Sequence, residues 1–212
     1  RFAKRLMLEP QKGHEYGREK VEKMLDYAKD LGIKELTFYA LSVENIKSRP
    51  KKELEYLYKV FKEAFKNMDR EKIHKNKIKI RFIGNLNLLP ADLKLQCEKL
   101  EQDTKDNNNF IVNFAIAYGG RQEITEAIKK ILKNKLNPED INEDIIEQNL
   151  YMRDQPDLII RTGGEKRTSN FLPWQSAYSE LIFIDKFWPE FEKQDLINCL
   201  EEFKNRKRNF GK

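Results

Sequence analysis

"FIVNFAIAYGGRQEITEAIKKIL" occupies residues 110–132, and its reading decides the fold class. Residues 110–117 form an apolar run rich in β-branched and aromatic side chains, interrupted only by Asn113, of a length that suits a buried strand. The pair Gly119 and Gly120 ends the run. Ile124, Ala127, Ile128, Ile131 and Leu132 then recur at helical spacing. A strand that passes through glycine into an amphipathic helix is half of a crossover, the connection a parallel neighbour requires.

Outward from this unit the pattern repeats. "ELTFYALS" (35–42), "IKIRFIG" (78–84), "DLIIR" (157–161) and "ELIFI" (180–184) read as strands. Helical stripes lie between and beyond them: Val21, Met24, Leu25, Ala28 and Leu31 before the stop "LGI"; Leu54, Leu57, Tyr58, Phe61, Phe65 and Met68; a weaker one at Leu93, Cys97, Leu100 and Thr104; and Leu196, Ile197, Leu200 and Phe203. Turn residues stay within single connections such as "SRP", "NLLP" and "NKLNPED", so no linker or repeat divides the chain. The expectation is α/β: a single domain over residues 1–212, with a parallel sheet flanked by helices on both faces.

Apolar residues make up 39% of the 212, charged residues 36% and aromatics 11%, which excludes a disordered chain. The net charge of +6 and the pI near 9.1 permit an anionic partner without choosing among nucleic acid, acidic lipid and a phosphorylated metabolite. Much of the excess is lysine on solvated helix faces, as in "KKELEYLYKVFKEAFK". Cys97 and Cys199 lack metal-ligand spacing and read as buried thiols in a reducing, cytoplasmic compartment. No apolar run approaches the roughly 18 residues of a membrane span. The sequence opens on "RFAKR" without methionine, so its start says nothing about a leader.

Ligands of parallel α/β sheets gather beyond the carboxyl ends of the strands. The segments there read "SVENIKSRP", "GNLNLLP", "AYGGRQE" and "RTGGEKRTSN". Amide groups freed by glycine, a helix N-terminus and arginine forks all suit phosphate oxygens, so a polyanion-binding edge is expected. "AYGGRQE" alone reads equally well as a structural turn. Arg161, Arg167 and Ser169 together favour a receptor, because like charges crowded on one loop repel unless an anion compensates them.

"DLIIRTGGEKRTSNFLPWQSAYSELIF" with its following "WPEF", together with "LTFYALSVEN", the "GH" at 13–14, "AYGGRQEI" and "NRKRNFG", resembles the cis-prenyltransferases, the undecaprenyl or dehydrodolichyl diphosphate synthases, from Arg1 to Gly211. The resemblance implies a homodimeric α/β domain with an apolar prenyl tunnel, Ala40 and Phe110 matching wall positions. It implies condensation of isopentenyl diphosphate with an allylic diphosphate, usually farnesyl diphosphate, with Mg²⁺ as cofactor. The product is a polyprenyl diphosphate for lipid glycan carriers, with peripheral association at the membrane surface through that product and no nucleic-acid partner.

Residue by residue, the resemblance assigns Arg161, Arg167, Thr168 and Ser169 to isopentenyl diphosphate. It assigns Arg1, Phe2, His14, Ser42, Val43, Glu44, Ile46 and Arg49 to the allylic substrate, with the register of Arg49 one residue long. Glu180 matches a magnesium ligand, and Glu165 either orients or screens its arginines. Arg1, His14 and Asn45 carry catalysis; a neutral amide is a poor base, so Asn45 positions the group that takes the proton. The family's Asp-Gly-Asn run, whose aspartate binds Mg²⁺, lies before the first residue of this sequence, which we read as a trimmed or disordered start. Pro10 stands where an arginine grips the allylic diphosphate, with Lys4, Arg5 or Lys12 as substitutes. Asn209 replaces the arginine of a terminal Arg-x-Gly, Arg208 being displaced by one, and Ala117 stands where asparagine is common. These departures keep open a non-catalytic partner subunit of a heteromeric enzyme. A basic nucleic-acid module is the other alternative, but aromatics and basic residues do not interleave as it would require.

Overall fold

The structure, a computed structural model, describes residues 10–206, with side chains from Glu15 onward. The expectations for Arg1, Phe2, Lys4, Arg5, Arg208 and Asn209 therefore lie outside the described residues. Of Pro10, Lys12 and His14 only the backbone is described. It is helical, so His14 stands in the first helix.

The described residues form two compact units that divide between Tyr118 and Gly119. In the first, α1 (Pro10–Asp30), β1 (Glu35–Ser42), α2 (Val43–Ser48), α3 (Lys51–Lys66), α4 (Arg70–Lys75), β2 (Ile78–Ile83), α5 (Ala91–Thr104) and β3 (Phe110–Tyr118) follow one another. In the second come α6 (Gly120–Lys133), α7 (Glu143–Asn149), β4 (Leu158–Thr162), β5 (Glu180–Ile184) and α8 (Lys193–Asn205). Among the described residues every strand pair is parallel, in two sheets of order β1-β3-β2 and β4-β5. The α/β class and the parallel strands expected from the sequence are present. Among the described residues no helix is long and apolar enough to cross a membrane.

Alternation along the strands explains the first core. Leu36, Phe38, Ile80, Phe82, Val112 and Phe114 share one sheet face and pack against helix residues such as Phe65, Leu93 and Leu100. Phe65 lies edge-on to Phe82 at 5.0 Å, and the Phe65, Phe82 and Phe38 rings lie 5.7, 5.6 and 5.8 Å from Phe114. Such contacts contribute about 0.5–1.5 kcal/mol each beyond area burial. Ala40 packs partly buried against this cluster and Phe110 is part of it. The expected pair of buried thiols is present, Cys97 and Cys199 being unpaired, with burial pushing them up to about 12 and about 11.

The carboxyl end of β1 is shifted twice against β3. Tyr39, Leu41 and Ser42 face Ala115, Ile116 and Tyr118, which leaves Ala40 and Ala117 as extra residues. Ala117 takes φ 50°, the left-handed region, and is 1% exposed. Asparagine tolerates that conformation better than alanine does. Strain relief of about 1–2 kcal/mol offsets the usual losses of an alanine-to-glycine change in a buried strand. Ala117→Gly is therefore expected to leave unfolding stability within about 1 kcal/mol in urea titration, where the same change in a regular buried strand costs about 2.

The second unit is built around a buried carboxylate. Glu123 of α6, 1% exposed, accepts hydrogen bonds from the Tyr151 amide at 2.8 Å, the Met152 amide at 3.3 Å and Gln175 Nε2 at 3.1 Å. Gln175 also donates to the Met152 carbonyl at 2.8 Å. These bonds tie the approach to β4 and the turn before β5 to one helix.

Candidate diphosphate-binding site

Arg161 is the next-to-last residue of β4, paired in register with Phe183, so strand geometry fixes its backbone. Its Nη1 donates to the Arg167 carbonyl at 2.5 Å and to Ser169 Oγ at 2.9 Å. The loop thereby folds back over the strand end and gathers Arg161, Arg167 and Ser169, three of the residues assigned to isopentenyl diphosphate. The fourth, Thr168, lies between two of them and accepts the Phe171 amide through its carbonyl at 3.2 Å. Arg167 is exposed and hydrogen-bonds Glu165, its neighbour in the loop. Glu165 thus orients one arginine while leaving the loop positive, with Arg161 and Lys166 beside it.

The two glycine pairs act differently from the expectation. Gly163 and Gly164 take φ 91° and 75°, and their amides donate to the Lys186 carbonyl at 2.8 Å and the Ile184 carbonyl at 3.0 Å. The Gly120 amide donates to the Asn170 carbonyl at 2.8 Å, and the Arg121 amide to Asn170 Oδ1 at 2.9 Å. These four amides stitch the loop to β5 and α6 and are not presented to an anion. The groups left to meet an anion at this loop are side chains, and the Gly120 and Arg121 amides of "AYGGRQE" serve a structural turn.

Backbone strain concentrates in the same loop. Of the non-glycine residues with positive φ among those described, Ser169 (51°), Asn170 (65°) and Leu172 (47°) are neighbours, against Lys77, Ala117 and Lys135 elsewhere. Ser169 and Leu172 cost about 1–2 kcal/mol each in that region and Asn170 less, and such residues persist only where surroundings enforce them, as at ligand-gripping segments. Leu172, 0% exposed, is the anchor.

In the first unit the "SVEN" block follows β1, as expected, but Ser42 has a local duty. Its Oγ caps α2 by accepting the Asn45 amide at 3.0 Å. Val43 is buried at 3% exposure and Ile46 packs on the core, so these two support the block from below. Glu44 is exposed and Asn45 half-buried. Arg49 pairs with Glu53 at 2.8 Å.

Glu180 opens β5 opposite Leu158, three residues before the level of Arg161. At about 3.3 Å per residue that is about 10 Å along the strands. Arg206 holds its carboxylate, Nη1 to Oε2 at 2.7 Å, and also bonds Glu202 and the Leu181 carbonyl. The Glu180 hydrogen bond is the main cause of the raised Arg206 pKa. Among the described residues no three acidic, histidine or cysteine side chains converge on a point. Magnesium takes few protein carboxylates beside water and phosphate oxygens, and the carboxylate the resemblance names for it here, Glu180, is engaged by the Arg206 guanidinium in this structure.

Asn170 and Arg206 were not singled out from the sequence. Asn170 had a signal, since asparagine adjoining Arg167 and Ser169 favours left-handed turns. Arg206 lies in the "NRKRNFG" block, but nothing local points to Glu180.

The family model of undecaprenyl diphosphate synthases, a prenyltransferase model, matches residues 1–211. The chain belongs to that family. A similar relative is tritrans,polycis-undecaprenyl-diphosphate synthase (geranylgeranyl-diphosphate specific) of Methanopyrus kandleri, 47% identical over 219 residues, which span 100% of this chain and 80% of the relative. The Methanocaldococcus jannaschii protein of the same description is 46% identical over 209 residues, 94% of this chain and 74% of that one. Among solved structures, lavandulyl diphosphate synthase from Lavandula x intermedia, in complex with dimethylallyl diphosphate, gives a TM-score of 0.93 at 33% identity, covering 100% of this chain and 93% of that one. As a member of this family the chain is a polyprenyl diphosphate synthase, and its reaction is prenyl-chain elongation.

Proposed function

We propose that the chain elongates geranylgeranyl diphosphate with successive isopentenyl diphosphate units, each addition creating a cis double bond. The observation that carries this reading is the Arg161–Ser169–Arg167 arrangement at the end of β4. Two guanidinium groups and a hydroxyl match a diphosphate head, and arginine's planar fork grips two oxygens where lysine grips one. The descriptions of the curated relatives support geranylgeranyl diphosphate as primer in place of the farnesyl diphosphate the resemblance implied.

In this reading Arg161, Arg167, Thr168 and Ser169 hold isopentenyl diphosphate by its head and leave its double bond free to attack. The block of Ser42, Glu44, Asn45 and Arg49, with Arg1, Phe2 and His14, serves the allylic diphosphate. Asn45 orients the proton acceptor through its amide. Val43 and Ile46 hold the block in place. The aromatic face around Phe114 contributes the apolar wall for the growing chain, with Ala40 and Phe110 on it. Holding both reactants in line replaces a bimolecular encounter by an oriented one. A single catalytic domain, a homodimer, a cytoplasmic location with product at the membrane surface, and supply of lipid glycan carriers belong to the same proposal. Magnesium belongs to it through the resemblance alone.

The test is incubation of the full-length protein with labelled isopentenyl diphosphate and either primer, with and without Mg²⁺, followed by sizing of products. Long products formed at least about tenfold more efficiently from geranylgeranyl than from farnesyl diphosphate are expected, about 1.4 kcal/mol of discrimination. The reverse preference restores farnesyl diphosphate as primer. No Mg²⁺-dependent incorporation from either primer, with the Asp-containing segment present in the protein assayed, favours the partner-subunit reading instead.

A further inference from the structure

We infer that Asn170 is a positioning residue for the isopentenyl head group, acting by clipping the arginine loop to the start of α6. The inference rests on the proposed function of Arg161, Arg167 and Ser169 and goes beyond it.

Three bonds make the clip. The Asn170 carbonyl accepts the Gly120 amide at 2.8 Å, its Oδ1 accepts the Arg121 amide at 2.9 Å, and its Nδ2 donates to Gln122 Oε1 at 3.1 Å. The first residues of a helix have amides without intrahelical partners, and the N-cap Gly119 has no side chain to satisfy them. Asn170 supplies that cap from 49 residues away in sequence. The loop therefore cannot leave without uncapping the helix.

The neighbouring glycines have the same cause. A Cβ on Gly119 would lie 2.9 Å from Asn170 Nδ2 and 2.2 Å from Gln122 Oε1. One on Gly120 would lie 1.9 Å from Cδ of Pro173. The glycine pair admits the clip, and the Gly120 amide is one of its donors.

The consequence for the ligand is direct. Ser169 is held on one side by Arg161 Nη1 and on the other by the peptide bond to Asn170. Both residues occupy the left-handed region, at 51° and 65°, and a consecutive pair of that kind needs an external restraint. Asparagine combines tolerance of that conformation with one acceptor and one donor on the same amide. Ser169 and the Arg167 carbonyl then meet Arg161 in one fixed geometry.

Steady-state kinetics of Asn170→Gly, Asn170→Ala and Asn170→Asp, with Arg161→Ala as reference, test the inference. Asn170→Gly keeps the backbone conformation and the carbonyl bond and removes only the amide, so it guards against a folding defect in Asn170→Ala. Both are expected to raise KM for isopentenyl diphosphate about tenfold and leave KM for the allylic diphosphate within about twofold, as loss of a preorganised contact does. Asn170→Asp, whose carboxylate can accept the Arg121 amide, is expected to return within about threefold of the native value. Native-like isopentenyl KM in both truncations overturns the inference, as does an equal rise for both substrates without rescue by aspartate. If Arg161→Ala leaves isopentenyl KM unchanged while the Asn170 variants raise it, the receptor reading of the arginines fails and the inference falls with it.

Discussion

Arg161→Ala is expected to lower kcat/KM for isopentenyl diphosphate by about two orders of magnitude while leaving affinity for the allylic diphosphate within about threefold. The size follows from the lower end of charge-assisted hydrogen bonding, about 1.5 kcal/mol for each of the two bonds a guanidinium fork gives a diphosphate; the sum of about 3 kcal/mol is slightly more than a hundredfold. Truncation also removes the two bonds that draw the Arg167 carbonyl and Ser169 Oγ to the strand end, at 2.5 and 2.9 Å, so loop and ligand contact are lost together. Arg161→Lys keeps the charge but cannot reach both acceptors and the ligand, and about a tenfold loss is expected. Equilibrium binding of each substrate measured separately, beside steady-state kinetics, checks this. Equal losses for the two ligands would show that Arg161 supports the unit as a whole and does not receive the isopentenyl head.

What the sequence disclosed depended on the range of the interaction concerned. The strands stand within about a residue of their expected bounds, because continuous apolar runs between turn signals are a local property. Helices α2, α4 and α7 were not foreseen. At 6, 6 and 7 residues they complete too few turns to show a period. Their caps are single residues that no period announces: Ser42, which the resemblance assigns to the substrate, also caps α2, while Asp69 and Asn142 accept amides from Lys72 and Ile145. The clustering of Arg161, Arg167 and Ser169 was legible because all lie within one loop. The fate of the glycine amides was not. Gly163 donates to Lys186 and Gly120 to Asn170, and those partners are set by how β5 and α6 pack, which no local spacing encodes. Glu180 makes the same point, since the guanidinium that engages it lies 26 residues away.

Gly84→Ala is expected to destabilise the protein by about 4 kcal/mol or more, a large share of the 5–15 kcal/mol typical of a folded chain. Gly84 directly follows β2 with φ 138°, a conformation side chains rarely adopt, and an added Cβ would lie 2.0 Å from the Ile116 carbonyl oxygen. The obstructing atoms are backbone of β3, the strand paired on both sides, so relief requires moving one ladder or the other. The Asn85 amide, bonded to the Ala117 carbonyl at 3.0 Å, would be displaced with it. That contact joins the turn after β2 to the bulge that sets the end of β1, so the Ser42–Asn45 block should lose its geometry before the core unfolds. Gly32→Ala provides the scale: at φ 71° with nothing within 4 Å of an added Cβ, it carries conformational strain alone, about 1 kcal/mol. Denaturant titration of the two variants at unchanged m-value separates the cases. If Gly84→Ala is no more destabilised than Gly32→Ala, the close approach of β2 and β3 at this corner is not what holds the carboxyl edge of the sheet in shape.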